Sequence, residues 1–137
     1  MALPSVGGGY QFNDGNLSEV KMSVASAPAT AANTATLTVD QLLNGIIIGT
    51  PTATAIYTLP LAATLDNTLT NGKVGTTFDF RVITAAAYGI TIATNTGWTI
   101  GSSGTQGLMT IAATAGTVRS FRARKTGDGT WALYAIS

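Results

Sequence analysis

The sequence of 137 residues contains no cysteine and no histidine. Without cysteine the chain has no disulfide framework and no thiolate metal site. Without histidine it lacks the commonest general base and the commonest neutral metal ligand. The six acidic residues are scattered, and no two stand at a spacing that forces a pair of carboxylates together. These absences predict a protein that is not an enzyme and that holds no metal or cofactor.

Charge is also scarce. Charged residues make up 9% of the chain, whereas about 25% is usual. The net charge of +1 provides no long-range field to steer nucleic acid or an anionic membrane. No apolar run approaches the roughly 20 residues of a membrane span, and the chain begins without the basic and apolar stretches of a signal peptide. We therefore expect a soluble protein, made in the cytoplasm without an export signal, whose partners include neither nucleic acid nor membrane.

Threonine and alanine are the abundant residues, together about a third of the chain. Threonine is β-branched and half apolar, which suits a pleated, half-buried surface. The clearest candidate strand is Thr77–Thr84, where Phe78 and Phe80 alternate with Asp79 and Arg81. This period of two puts the apolar and the charged side chains on opposite faces of a strand. The pattern therefore predicts a sheet with one buried and one exposed face.

From Thr36 onward, turn residues divide the chain into short segments of this kind. Helix contributes little: the sequence predicts a single turn over 40–44, with Asp40 as N-cap and Gly45 as its stop, and a short helix over 61–69. Seven or eight short strands at this spacing favour a β-sandwich or jelly roll. We expect an all-β fold with a single domain over residues 36–137.

Residues 1–35 differ from the rest of the chain, because they contain three successive glycines and the low-complexity stretch Ala25–Ala35. Few large apolar residues occur here, so the segment cannot bury enough surface to offset its ordering entropy. We interpret it as an extended N-terminal arm. A disordered tail, or the first strands of the domain, would also account for this composition.

Two groups of residues are candidates for binding. Arg119, Arg122, Arg124 and Lys125 form the one local concentration of charge, and the alternation places Arg122 and Arg124 on one face of a strand. They would bind carboxylates of a partner subunit or a shell protein, or merely protect an exposed edge strand. Trp98 and Trp131 would stack on sugars in a lectin-like protein, although a place in the core is the plainer interpretation of both.

Several stretches of the β region resemble a known module. They are Leu37–Thr38 with Leu42–Pro51, Tyr57–Pro60, Val74–Val82 and Phe121–Gly127. These residues resemble a module of tailed-bacteriophage virion proteins, chiefly capsid decoration (cement) proteins and some fibre-end domains. The likeness covers about residues 36–137 and leaves the arm outside. The motifs are turns, strand ends and a core face, so they indicate a virion context rather than a ligand.

The resemblance implies a structural protein on the outer surface of a phage head, commonly a homotrimer, which reinforces contacts between major capsid subunits. The major capsid protein and further copies of the chain would be its partners. Tyr10 and Phe12 in the arm, together with Arg119, Arg122 and Arg124, are the residues expected to bind them. The alternative is a receptor-binding or fibre-tip domain that recognises host-surface glycan through an exposed Trp98 or Tyr88.

Overall fold

The computed structural model describes residues 23–100 and 109–137. This part of the chain forms ten strands and two short helices, so the expected mainly-β fold is confirmed, with more strands than the seven or eight predicted. In chain order the elements are β1 (Ala29–Ala31), β2 (Ala35–Thr36), α1 (Val39–Asn44), β3 (Ile46–Gly49), β4 (Ala55–Thr58), α2 (Ala62–Thr68), β5 (Thr77–Thr84), β6 (Ile90–Ala93), β7 (Trp98–Ile100), β8 (Thr110–Ile111), β9 (Val118–Gly127) and β10 (Thr130–Ala135).

The strands form two sheets, and the first six alternate between them. The six-stranded sheet has the order β1-β3-β5-β9-β10-β7, and the four-stranded sheet has the order β2-β4-β6-β8. Pairing is parallel along β1-β3-β5 and along β2-β4-β6, and antiparallel where β9 joins β5 and β10. Jelly rolls are antiparallel architectures. The mixed pairing therefore departs from the jelly roll that strand spacing alone suggested.

Parallel neighbours need a long return connection, because the chain must come back to the same end of the sheet. Here each return passes through the other sheet, and the four returns between β1 and β6 each include α1 or α2 as well. Helix α1 begins at Thr38, whose hydroxyl accepts from the Gln41 amide while the Gln41 side chain accepts from the Thr38 amide. This capping box makes Thr38 the N-cap, so the prediction of Asp40 was wrong. Gly45 ends the helix in the left-handed region, as predicted.

The first strands begin earlier than the sequence suggested. Residues 29–31 and 35 fall in the predicted arm, yet they pair in parallel with β3 and β4. The hydroxyl of the buried Tyr57 donates to the carbonyls of Ala31, at 2.9 Å, and Ala32, at 3.2 Å. The small side chains of this segment fit closely beside the isoleucine-rich β3. Residues 29–31 and 35–36 therefore form strands that pair with β3 and β4.

The inward faces of both sheets and the buried sides of both helices share one hydrophobic core. Its largest fully buried side chains are Trp131, Tyr57, Phe80 and Phe121. Phe80 and Phe121 stack across β5 and β9, with ring centroids 5.3 Å apart. The outward positions of β5 and β9 are exposed or half-exposed, so this face of the six-stranded sheet points to the surroundings.

Candidate functional site: the outer face of the six-stranded sheet

The outer face of the six-stranded sheet carries most of the arginine of this protein. On β5 and β9 the inward positions, such as Phe80 and Phe121, are fully buried. The outward positions alternate with them and are exposed or half-exposed, as the period of two requires. Four of these outward residues are charged: Asp79, Arg81, Arg122 and Arg124. We call these four side chains the basic face.

An ion pair occupies the centre of the basic face. Asp79 lies directly opposite Arg122 in the antiparallel pair, and the guanidinium donates Nε to Oδ1 at 2.7 Å and Nη2 to Oδ2 at 3.0 Å. These bonds from Arg122 hold the pKa of the Asp79 carboxyl below its ordinary value, against the effect of partial burial, and the charge of Arg81 adds to them. The same contact raises the pKa of Arg122. Both groups stay ionised, and they neutralise each other.

Arg81 and Arg124 lie on either side of this pair. In the register, Arg81 stands opposite Ser120, and Arg124 stands opposite Thr77. Both side chains are exposed. Within the described residues neither guanidinium makes an ion pair, since the two salt bridges there join Arg122 to Asp79 and Lys125 to Asp66. In this part of the chain, the basic face therefore presents two exposed guanidiniums without an ion-pair partner.

An apolar row adjoins the basic face on the side of Arg81. Ile48, Ile83 and Val118 stand beside one another on β3, β5 and β9. Val118 is 51% exposed, and the other two are half-buried. Ile46, next to Arg81 on β3, is exposed as well. We refer to Ile48, Ile83 and Val118 as the apolar row.

The residues proposed for binding from sequence fall in three different places. Arg122 and Arg124 share the outer face, as predicted. Arg119 lies on the opposite face of β9 from Arg122 and Arg124. Its Nε donates to the Thr110 carbonyl and its Nη1 donates to the Ser137 carbonyl, each at 3.0 Å. It therefore ties β8 and the last residue to the sheet and does not join the basic face. Tyr10 and Phe12 lie outside the described residues.

Sequence reasoning did not include Arg81 among the binding residues. The alternation along β5 already placed Asp79 and Arg81 on one face. What it lacked was the pairing of β5 with β9, which brings Asp79 against Arg122 although they are 43 residues apart in the sequence. The apolar row was missed for the same reason, because its three members lie on three strands.

On the inner side, a second charged group lies under the end of the β9–β10 hairpin. The carboxylate of Asp66, on α2, accepts from Lys125 Nζ and the Gly129 amide, each at 2.5 Å, and from Trp131 Nε1 at 2.8 Å. Burial acts to raise the pKa of Asp66, and these hydrogen bonds, first that from Lys125, outweigh it, so that the pKa is lowered. A carboxylate that is fully hydrogen-bonded and held ionised is a weak base. This cluster therefore joins α2 to the β9–β10 hairpin.

The tryptophans do not form a sugar-binding surface. Trp131 is fully buried, and Trp98 is 7% exposed with its Nε1 donating to the Pro60 carbonyl at 2.7 Å. The two indoles lie against each other, with ring centroids 6.1 Å apart. The suggestion of an exposed Trp98 in glycan recognition was therefore wrong, because the ring is part of the core. Tyr88 is exposed.

Residues 23–100 and 109–137 contain no cluster of three or more acidic side chains arranged to hold a metal ion. None of the helices in these ranges has the length and apolar character to cross a membrane. Comparisons of the chain with family models, with curated proteins and with solved structures gave no match.

Proposed function

We propose that this protein is a structural component of a bacteriophage virion: a decoration protein that binds the outer surface of the head and reinforces contacts between major capsid subunits. The observation that carries the proposal is the outer face of the six-stranded sheet, where two exposed arginines without an ion-pair partner among the described residues stand beside an apolar row. Such a surface suits a protein partner. The likeness of Val74–Val82 and Phe121–Gly127 to phage decoration proteins directs the choice of partner to the capsid.

The inner side of the fold is consistent with a purely structural role. The largest aromatic side chains fill the core, and the partly buried carboxylate of Asp66 accepts three hydrogen bonds. We further propose that the two sheets form a β-sandwich around this core and that the protein assembles as a homotrimer. Three linked copies would bind a shell more tightly than one, because the second and third contacts are made at high effective concentration.

Binding of the full-length protein to heads assembled without it tests this function. We expect saturable binding at fixed positions on the head, seen by electron microscopy, and a higher temperature of head disruption when the sites are filled. In the proposed arm, Tyr10→Ala and Phe12→Ala in the full-length chain should each lower occupancy. Absence of binding to such heads, together with binding to intact host cells, would overturn the proposal in favour of a receptor-binding domain.

A further inference from the structure

The positive charge of this protein is concentrated on one surface. Among the described residues there are six Lys or Arg side chains and four Asp side chains, an excess of two positive charges. The Asp66–Lys125 pair lies on the inner side of the sheet and is neutral as a pair. The basic face has three arginines and one aspartate, which is also an excess of two. This surface is therefore matched to a partner that brings carboxylates.

The spacing of the two available arginines restricts how these carboxylates are arranged. Arg81 and Arg124 are separated by four residue positions along the strand axis, because they stand in the registers of Ser120 and Thr77. At about 3.4 Å per residue this separation is roughly 14 Å. An extended segment has the same distance between residues i and i+4, whose side chains point to the same side. The neutral Asp79–Arg122 pair lies between them. The residue at i+2 of the bound segment is therefore expected to be uncharged.

The apolar row continues the same outer face along the strands, next to Arg81. Ile83 and Val118 are two positions beyond Arg81 and Ser120 on their strands, a distance of roughly 7 Å. An extended segment whose residue i+4 contacts Arg81 would place residue i+6 against these two side chains. We therefore expect the bound segment to have an apolar residue at i+6, in contact with Ile83 and Val118.

We infer that the outer face of the six-stranded sheet docks an acidic, extended protein segment, with carboxylates at i and i+4 bound by Arg124 and Arg81 and an apolar residue at i+6 against Ile83 and Val118. The inference rests on the proposed function, in which that segment belongs to the shell protein. A second copy of this face is a poor occupant, because the arginines of both copies would oppose one another. Nucleic acid is also disfavoured, because its phosphates follow one another more closely than the two available arginines and would place a negative charge on the already paired Asp79.

The size of the surface sets the strength of this contact. Three strands at about 4.8 Å and four rows at about 6.8 Å give roughly 400 Å². A stable interface buries about 800 Å² on each partner. A single copy should therefore bind weakly and exchange rapidly, and tight attachment to a shell would depend on several copies binding together.

The test is a titration of the 15N-labelled full-length protein with a synthetic peptide, acetyl-Glu-Thr-Thr-Thr-Glu-Thr-Ile-amide, followed by NMR. We expect shifts confined to the amides of β3, β5 and β9. Two control peptides should bind much more weakly: one with both Glu replaced by Gln, and one with the second Glu moved to the i+3 position, where it points to the other side. Equal binding of all three peptides, or shifts at another surface, would overturn the inference.

Variants of the protein make the test specific to the basic face. Arg81→Gln and Arg124→Gln should each weaken peptide binding by about three- to fivefold, as for an exposed ion pair. Asp79→Asn should strengthen it, because Arg122 is then released. Lys73→Gln removes the same charge from the loop between α2 and β5 and should leave binding unchanged. An equal loss with Lys73→Gln, or tighter binding of oligothymidylate than of the peptide, would mean that the surface attracts any anion and would overturn the inference.

The same variants separate this inference from the proposed function. If heads bind the Arg81→Gln/Arg124→Gln double variant as well as they bind the unmodified protein, the docking surface is wrong and the decoration function stands. If the protein binds the peptide through these arginines but does not bind heads, the docking surface stands and its assignment to a shell protein is wrong.

Discussion

Substitution of Asp66 by asparagine should destabilise this protein more than the same change at any exposed aspartate. The carboxylate joins α2 to three other parts of the chain. It accepts hydrogen bonds from β9, from the β9–β10 turn and from the indole of Trp131. Its partner Lys125 has only 8% of its side chain exposed. Asparagine has nearly the same shape, so that the change removes the negative charge and leaves the buried ammonium group without a counter-ion.

Removal of one partner from a buried ion pair typically costs about 3–5 kcal/mol. Asparagine retains one oxygen that can still accept from the Trp131 indole, so we expect the lower end, about 3 kcal/mol. This is a large share of the roughly 5–15 kcal/mol by which most domains are stable. With a typical urea dependence of about 2 kcal/mol per M, the unfolding midpoint should fall by roughly 1.5 M.

Asp79→Asn provides the matched control. This aspartate also pairs with a cation, but the side chains of Arg122 and Asp79 are 50% and 30% exposed. An exposed pair contributes at most about 1 kcal/mol, or a midpoint shift of about 0.5 M in urea. Urea unfolding of both variants, followed by circular dichroism at the same protein concentration, measures the difference. Equal midpoints for the two variants would refute the assignment of Asp66 and Lys125 as a buried network.

Three further predictions concern pH, packing and the first strand. Because the folded-state pKa of Asp66 is lowered, its stabilising effect should be complete above the unfolded pKa of about 3.9 and decline as the pH falls below it; urea unfolding between pH 2 and pH 5 measures this. Gly49→Ala should cost about 1–3 kcal/mol in urea unfolding, because an added Cβ would lie 2.6 Å from Ile90 Cδ1. Tyr57→Phe should lower the free energy of unfolding by about 1 kcal/mol. It should speed hydrogen exchange most in residues 29–31, because it removes the hydrogen bond from the Tyr57 hydroxyl to the Ala31 carbonyl.

Each of these predictions has its own control. The acid dependence should be smaller in Asp66→Asn, and an unchanged dependence would assign it to another carboxylate. Gly89→Ala adds a Cβ whose nearest neighbour is the Ile111 carbonyl oxygen at an ordinary 3.5 Å, so a cost equal to that of Gly49→Ala would contradict the overpacking explanation. For Tyr57→Phe, an equal rise in exchange throughout β9 would mean that the hydroxyl stabilises the whole fold rather than the first strand.

The elements predicted best from sequence are those in which local chemistry decides the structure. Strand β5 spans Thr77–Thr84 as predicted, because its phenylalanines alternate with charged residues and only one face of a strand can enter the core. Helix α1 ends at Gly45 as predicted, since the left-handed conformation there costs glycine little. The N-cap was misassigned by two residues because Asp40 and Thr38 are both residues that favour N-caps. The choice between them depends on the reciprocal bond with Gln41.

Strand β1 shows where local reasoning fails. Its residues, Ala29–Ala31, are small and have no apolar period, so composition alone favours an arm. They form a strand because β3 offers an edge beside them and Tyr57 holds their carbonyl groups. These contacts join residues far apart in the sequence, so the local residue pattern does not predict them.

The sequence by itself determined that this chain has no histidine or cysteine chemistry, that its strands bury one face, and that Arg122 and Arg124 point to the same side. Only the tertiary structure decided that Arg81 joins them, that Asp79 neutralises Arg122 between them, and that Arg119 is turned to the carbonyls of Thr110 and Ser137. The physical reason is the register of β5 against β9. A period of two assigns each side chain to a face, whereas only strand pairing decides which side chains of different strands become neighbours.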